Sequence, residues 1–257
     1  MSSKNGTENT PAFYVGYLPL PGAQKRFVVG LVASLFLGMV AFGVIIATTQ
    51  RNPGKTAVVS AEIATWSGTV YSEPYPMMVH DDGSIHLLIG IGKFGVLDRV
   101  AALEGQRCEV DGWALARSDR RAIQLDLASD AIRPVAGRLQ PRPQMAADES
   151  GPVVLVGEIV DGKCYLGAMK PGDGKAHKAC ATLCIQGGLP PMFASRSRTP
   201  SAQLPLILFD GSTTLPPSAL GLVGEPVEIT GRLSRLGSLD ILRIGPGDIR
   251  RWPGDAP

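Results

Sequence analysis

The longest hydrophobic run lies near the N-terminus, where residues 27–49 contain no charged side chain. A helix of that length, rising about 1.5 Å per residue, can cross the roughly 30 Å hydrocarbon layer of a bilayer. We therefore predict a single transmembrane helix over 27–49, preceded by a polar cytoplasmic segment, 1–26. The alternative is a cleavable signal peptide, which the length of the apolar run disfavours. Lys25 and Arg26 immediately before the run favour a cytoplasmic N-terminus, because cytoplasmic flanks carry an excess of Lys and Arg.

Small residues recur every fourth position within this run, at Gly30, Ser34 and Gly38. They fall along one face of a helix, where small side chains allow a second transmembrane helix to approach closely. The stripe predicts packing against integral membrane subunits within the lipid bilayer. The alternative is that Gly and Ser are simply frequent in transmembrane segments.

Beyond a Pro/Gly-containing linker the pattern changes to short β-type runs separated by turns, and the runs form two copies of one order. Gly at bends and short alternating strands are typical of small, partly open barrels of the OB type. We predict a mainly β fold class: one N-terminal transmembrane helix followed by two small OB-like β-barrel domains. The expected domains are 56–135 and 153–252, joined by a linker, 136–152. The predicted strands are 67–71, 85–90, 107–116 and 123–127 in the first copy, and 156–160, 204–209, 226–235 and 239–244 in the second.

The second copy carries an insertion, 161–193, between its first and second predicted strands. Within it, residues 175–185 lack Gly and Pro, which predicts a helix that ends at Gly187 and Gly188. A long insertion in a repeated scaffold is a candidate for function.

Three of the four cysteines and one of the three histidines lie in this insertion. His177, Cys180 and Cys184 share one face of the predicted helix, and Cys164 precedes it. One interpretation is a disulfide of Cys164 with Cys180 or Cys184, since a Cys180–Cys184 bridge does not suit helical geometry. A second is a structural metal such as zinc, bound by Cys164, His177, Cys180 and Cys184. A third is a redox or haem-contacting site, although Cys-x-x-Cys and Cys-x-x-Cys-His are absent.

The insertion also contains Asp-x-Lys-Cys, His-x-x-Cys-Ala-x-x-Cys and Gly-Gly-x-Pro-Pro. These motifs resemble a family of uncharacterised bacterial membrane-anchored proteins with an Asp-x-x-Cys … Cys-x-x-x-Cys … Gly-Gly exported β-domain. The resemblance implies a location in the cell envelope and no particular reaction. The residues that carry it are Asp161, Cys164, His177, Cys180, Cys184, Gly187 and Gly188.

Other chemistry-bearing residues have simpler predicted roles. Aligning the two copies places Cys108 opposite Val227 on a strand, where a thiol acts as a small buried hydrophobe. The run His80, Asp81, Asp82 could bind a cation, but Asp-Asp-Gly is ordinary turn chemistry. The stretch 90–95 has the Gly and Lys of a phosphate loop without the Ser or Thr that should follow.

Composition adds two exclusions. A net charge of +2 without any Lys/Arg block argues against a nucleic-acid partner. No Gly-x-Ser-x-Gly, His-Glu-x-x-His, Walker or dinucleotide motif is present, and three histidines offer little for acid–base catalysis, so we do not predict an enzyme.

These observations predict an accessory or assembly subunit of a larger membrane complex, such as a respiratory or other redox complex. The alternative is a metal- or cofactor-binding module that uses Cys164, His177, Cys180 and Cys184. The expected location is the bacterial inner membrane, single-pass, with both C-terminal domains in the periplasm.

Overall fold

A computed structural model describes residues 22–49, 58–146, 151–196 and 203–254. The chain divides into two compact units, Met1–Gly54 and Lys55–Pro257. Each unit is considered by itself. The predicted cytoplasmic segment before residue 22 lies outside the described residues.

The first unit contains one long helix, α1 (Gly22–Thr49). Within it, Gln24–Thr48 is apolar enough and long enough to cross a membrane. No residue of that stretch is buried by other parts of the chain, and the Ser34 hydroxyl donates to the carbonyl of Gly30, 2.8 Å away. The predicted apolar helix is therefore confirmed, and it begins five residues before the apolar run.

The first half of the second unit is a closed five-stranded barrel. Its strands run in the order β2, β3, β4, β6, β5 and back to β2. Every pairing is antiparallel except that of β4 with β6, in which Leu87 lies opposite Ala122. The short strands β1 and β7 extend the sheet from β5. The elements are β1 (Val58–Val59), β2 (Ala64–Tyr71), β3 (Met77–Val79), β4 (Ile85–Ile89), α2 (Leu97–Ala101), β5 (Arg107–Arg117), β6 (Arg120–Leu125) and β7 (Ile132–Pro134).

The second half repeats this topology. Its barrel closes in the order β8, β9, β10, β12, β11 and back to β8, with β10 and β12 parallel and Leu206 opposite Ile241. In both barrels a short helix connects the third strand in chain order to the fourth: α2 joins β4 to β5, and α4 joins β10 to β11. The elements are β8 (Val153–Asp161), an irregular helical turn (Cys164–Ala168), α3 (Gly174–Gln186), β9 (Pro191–Ser195), β10 (Leu206–Phe209), α4 (Pro217–Leu220), β11 (Pro226–Leu236), β12 (Leu239–Ile244) and β13 (Ile249–Arg251).

This arrangement confirms the predicted pair of small OB-like barrels and corrects their strand count. Each barrel has five strands, whereas the sequence pattern predicted four in each copy. Among the strands that form the barrels, those without a prediction are β3 and β9, the second strand of each barrel. The Cys/His segment lies between β8 and β9. The predicted insertion, 161–193, was placed between the strands at 156–160 and 204–209, and its last three residues instead belong to β9.

Three hydrophobic clusters hold the second unit together. Alternate residues of a strand point to opposite faces, so Leu88 packs in one cluster with Cys108 while Leu87 and Ile89 pack in another. That second cluster is shared by both barrels, because it also contains Leu206 and its neighbours on the second barrel. The third cluster, around Phe193 and Val227, lies within the second barrel. The two barrels therefore share a buried core between them.

Polar contacts cross the same boundary. The Arg120 side chain is 1 % exposed and donates to the carbonyls of Leu204 and Ser238, each 2.9 Å away. It also forms a buried ion pair with Asp240. A buried charge is costly unless it is paired and hydrogen-bonded, and each nitrogen of this guanidinium has an acceptor. Arg120 thus links the two barrels through buried polar contacts.

Candidate metal centre

The position of Cys164 is fixed by the carboxylate of Asp161, the last residue of β8. Asp161 is fully buried, and its Oδ1 accepts the backbone N–H groups of Lys163 at 3.1 Å and Cys164 at 2.8 Å. Asp side chains commonly bond to backbone groups two or three residues further on, which closes a turn locally. This turn reverses the chain directly after β8 and directs Cys164 into the core shared by the barrels.

Helix α3 supplies the other two thiols. Cys180 and Cys184 are four residues apart, so they lie one above the other on the same helix face. The sulfur atoms of Cys164, Cys180 and Cys184 all lie within 4.8 Å of one another. Cys164 and Cys184 are buried and Cys180 is half-buried. The structure therefore brings together the three cysteines of the insertion.

His177 is near this group but belongs to a second one. Its Nε2 lies 3.2 Å from Oδ2 of Asp161, and both side chains are buried. Asp161, Cys164 and His177 form a second group with ligand atoms within 4.8 Å, and the two groups share only Cys164. The four predicted metal ligands are thus neighbours, while the imidazole pairs with the carboxylate that holds the Cys164 turn.

All four cysteines are free thiols in the structure. The expected bridge from Cys164 to Cys180 or Cys184 is therefore not formed here, although the three sulfur atoms are close neighbours. Cys108 is fully buried within the first barrel, where desolvation raises the pKa of its thiol. It packs as a small hydrophobe, as predicted from its alignment with Val227.

The first barrel contributes two contacts that the sequence analysis missed. Lys93, in the loop between β4 and α2, places its Nζ 2.9 Å from Sγ of Cys180 and 3.8 Å from Sγ of Cys184. Lys163, which is 7 % exposed, donates from its Nζ to the carbonyl of Gly92 in the same loop. The only sequence signal for Lys93 is its place in the Gly-rich stretch 90–95, which resembles a phosphate loop without the Ser or Thr that should follow.

These charges act on the thiols. A hydrogen bond from the Cys164 thiol lowers the pKa of Cys184 to about 7, and the ammonium groups of Lys93 and Lys163 act in the same direction. The same bond, together with burial, raises the pKa of Cys164. The hydrogen bond to Cys180 raises the pKa of Lys93, which keeps that ammonium charged. Thiolates are the form in which cysteine binds metals, so these charges favour ligation by Cys184, whereas the raised pKa of Cys164 opposes its ligation.

Backbone contacts keep the Lys93 loop against α3. The amide of Gly95 donates to the carbonyl of Gly187 at 2.7 Å, directly after α3 ends. A Cβ at Gly187 would lie 1.7 Å from the carbonyl oxygen of Lys93, so only glycine fits there. Gly188 adopts φ +94°, a conformation that favours glycine. The predicted helix stop at Gly187 and Gly188 is confirmed, and it also brings the two barrels together.

A cleft of about 720 Å³ opens beside this contact. Its lining includes Tyr75 and Phe94 from the first barrel and Gly187 to Leu189 from the end of α3. Phe94 is 73 % exposed, although it is a large hydrophobic residue next to Lys93. The cleft gives solvent access to the loop that carries Lys93.

The other cation candidate is a turn, as predicted. The amide of His80 donates to Ser84 O, that of Gly83 to His80 O, and that of Ser84 to the carboxylate of Asp82. Asp81 is paired with Arg107 at 2.7 Å. These contacts use the carboxylates to close and brace the β3–β4 hairpin, and the residues form no cluster with a third metal ligand in the described part of the chain.

Comparison with protein-family profiles, curated proteins and solved structures finds no match to this chain. The site must therefore be interpreted from its own chemistry. Three convergent thiols are soft ligands, which suit thiophilic ions such as zinc and copper(I) better than magnesium or calcium.

Proposed function

We propose that this protein is a membrane-anchored metal-binding protein that holds one thiophilic metal ion with Cys164, Cys180 and Cys184. One observation carries the proposal: three cysteine sulfur atoms from two separate segments lie within 4.8 Å of one another. A structural disulfide would need only two of these thiols. A metal ion uses all three.

The surroundings of the thiols support binding. Asp161 holds the turn of Cys164, and His177 in turn contacts Asp161. In many metal sites, residues that contact a ligand orient it for binding. Lys93 places its ammonium group 2.9 Å from the Cys180 sulfur. The backbone of Cys164 is therefore held in place before any metal arrives.

The proposed location is the bacterial inner membrane, with α1 as a single-pass anchor and both barrels in the periplasm. Lys25 and Arg26 at the start of the apolar stretch favour this orientation. A reporter that is active only after export, fused after Pro257, should be active. Activity of a cytoplasm-specific reporter at the same position would contradict the proposed orientation.

Elemental analysis of the full chain tests the metal proposal. Protein purified from membranes without chelator should contain about one metal ion per chain. Cys184→Ser should lose that metal, while Cys108→Ala, which removes a thiol far from the group, should retain it. Wild-type protein with no bound metal, and unable to take up zinc or copper(I) after reduction, would contradict the proposal.

A second candidate function is that of an accessory subunit in a larger membrane complex, such as a redox complex. It is favoured by the stripe Gly30, Ser34 and Gly38 on α1, since nothing lies within 4 Å of a Cβ built at either glycine. Small residues at that spacing allow close helix packing in lipid. The partners would be integral membrane subunits.

Substitution of both stripe glycines tests this second candidate. Gly30→Leu with Gly38→Leu should reduce co-purification of membrane partners while insertion continues, because bulk prevents close approach. Val32→Leu with Phe36→Leu, on the opposite helix face, is the control. Equal recovery of partners from all forms would contradict a helix interface.

A further inference from the structure

Within the described part of the chain, the sulfur group of the metal site has three ligands and no fourth. His177, the fourth ligand expected from the sequence, is in the separate group with Asp161. The Oδ1 of Asp161 already accepts two backbone N–H groups, and its Oδ2 faces the imidazole. Structural zinc sites are almost always four-coordinate and tetrahedral, so the sulfur triad by itself does not complete a zinc shell.

Lys93 lies beside the triad where an additional ligand could enter. Its Nζ is 2.9 Å from Sγ of Cys180 and 3.8 Å from Sγ of Cys184. A charged ammonium has three donors and no lone pair, so it cannot coordinate a metal. It therefore occupies that side of the triad without adding a donor, and the three sulfur atoms are the ligand atoms that the described residues bring together there.

We infer that Cys164, Cys180 and Cys184 form a three-coordinate thiolate site for copper(I), with Lys93 as the residue that excludes a fourth ligand. This inference rests on the proposed metal-binding function and names its metal. Copper(I) is a soft ion suited to thiolate ligands. Binding releases the remaining thiol protons and involves no change in the oxidation state of the metal.

A competition experiment on the full chain in detergent tests this inference. Reduced, metal-free protein is loaded under anaerobic conditions with copper(I), buffered by a cuprous chelator, and is separately loaded with Zn²⁺. We expect one copper(I) per chain, retained against a tenfold excess of Zn²⁺. X-ray absorption at the copper edge should show three sulfur neighbours and no imidazole.

The possible failures are distinct. Displacement of copper(I) by Zn²⁺, or a nitrogen neighbour in the spectrum, would overturn the copper inference and leave the metal-binding function standing. Failure of both ions to bind would overturn both. These measurements use the wild-type chain, so they do not depend on whether a variant folds.

A substitution then tests the role of Lys93. Lys93→Gln should weaken copper(I) binding by roughly tenfold, because a charge-assisted contact to the thiolates is lost. Its spectrum should gain a fourth, light neighbour. Lys178→Gln is the matched control, since Lys178 pairs with Glu225 at 2.7 Å instead of a thiol. A Lys93→Gln protein with unchanged affinity and a sulfur-only spectrum would overturn the assigned role.

Discussion

At the scale of single residues, Asp161 is the clearest example of a side chain that acts through its neighbours. It is fully buried, it holds the backbone of Lys163 and Cys164, and it contacts His177. The carboxylate is a positioning group, because its Oδ1 already accepts two backbone N–H groups. Removing it should affect the thiol site without removing any sulfur.

We predict that Asp161→Ala weakens metal binding by about 10- to 100-fold, the usual effect of losing an outer partner of a ligand. Two backbone donors at the Cys164 turn would lose their acceptor, so that the thiol is no longer held in place. A chelator competition titration measures the effect. Asp173→Ala, at the exposed start of α3 where the side chain makes no capping bond, should bind normally. Equal affinities would contradict the role of Asp161.

His86 is buried without serving the thiol site. It is 6 % exposed, and its ring packs against His80 with centroids 4.3 Å apart. Burial lowers the pKa of His86 to about 4, with His80 and Arg121 acting in the same direction and Asp82 opposing them. The folded-state pKa is below the unfolded value, so the stabilising effect of neutral His86 is complete above about pH 6.5 and is lost as the pH falls toward 4.

We predict that fragment 55–257 loses up to roughly 3 kcal/mol of unfolding free energy through His86 between pH 7 and pH 4. Urea unfolding at several pH values measures this loss. His86→Leu should show a shallower decline over the same interval, because it has no proton to gain. Parallel curves for the two proteins would mean that His86 does not titrate as its burial implies.

At the scale of elements, the junction between α3 and the loop before α2 determines where Lys93 lies. Gly187 ends the helix and also touches the backbone of the first barrel. The contact therefore requires that residue 187 has no side chain. Substitution of Gly187 by alanine, which adds one methyl group, tests this requirement.

We predict that Gly187→Ala destabilises fragment 55–257 by about 1 to 3 kcal/mol, because the new Cβ would collide with the carbonyl of Lys93 and force a shift. Thermal and urea unfolding measure the change. Gly221→Ala is the matched control at the end of α4: its Cβ would have no neighbour closer than 3.6 Å. If both variants unfold alike, the contact has no energetic importance.

Elements with a strong local pattern could be predicted from the sequence. The apolar helix, helix α3 with its glycine stop, and the longer strands all carry such patterns. The strands β3 and β9 do not: Met77–Val79 has only three residues, and Pro191–Ser195 begins with a proline. Alternation cannot be recognised over so few positions, and barrel closure supplies the pairing that local sequence lacks.

The site, too, could be predicted only where a local sequence pattern exists. Helical periodicity placed His177, Cys180 and Cys184 on one face. It could not reveal that the imidazole faces Asp161, or that Lys93 reaches the thiols from 87 positions away in the chain. Both facts depend on how the barrels pack, which no local pattern encodes.

At the scale of the whole second unit, the two barrels behave as one body because a hydrophobic core and a buried ion pair join them. Arg120 and Asp240 are 1 % and 2 % exposed and come from different barrels. Since the thiol site takes Cys164 and Cys184 from the shared core and Lys93 from the first barrel, its geometry depends on this packing.

We predict that Asp240→Leu costs fragment 55–257 about 3 to 5 kcal/mol, because it leaves the Arg120 guanidinium buried without its partner. Unfolding in urea measures the loss. Asp81→Ala removes the exposed partner of Arg107 and should change stability little, since exposed ion pairs contribute little. A small effect of Asp240→Leu would show that the barrels do not depend on this pair.

The central claim is that Cys164, Cys180 and Cys184 act together as one metal site. Differential alkylation with mass mapping, on the full chain purified without chelator or reductant, tests it most directly. The account predicts that all three thiols resist alkylation and become reactive together once a chelator removes the metal. A disulfide-linked peptide pair joining Cys164 to Cys180 or Cys184, or three thiols that react freely from the outset, would contradict it.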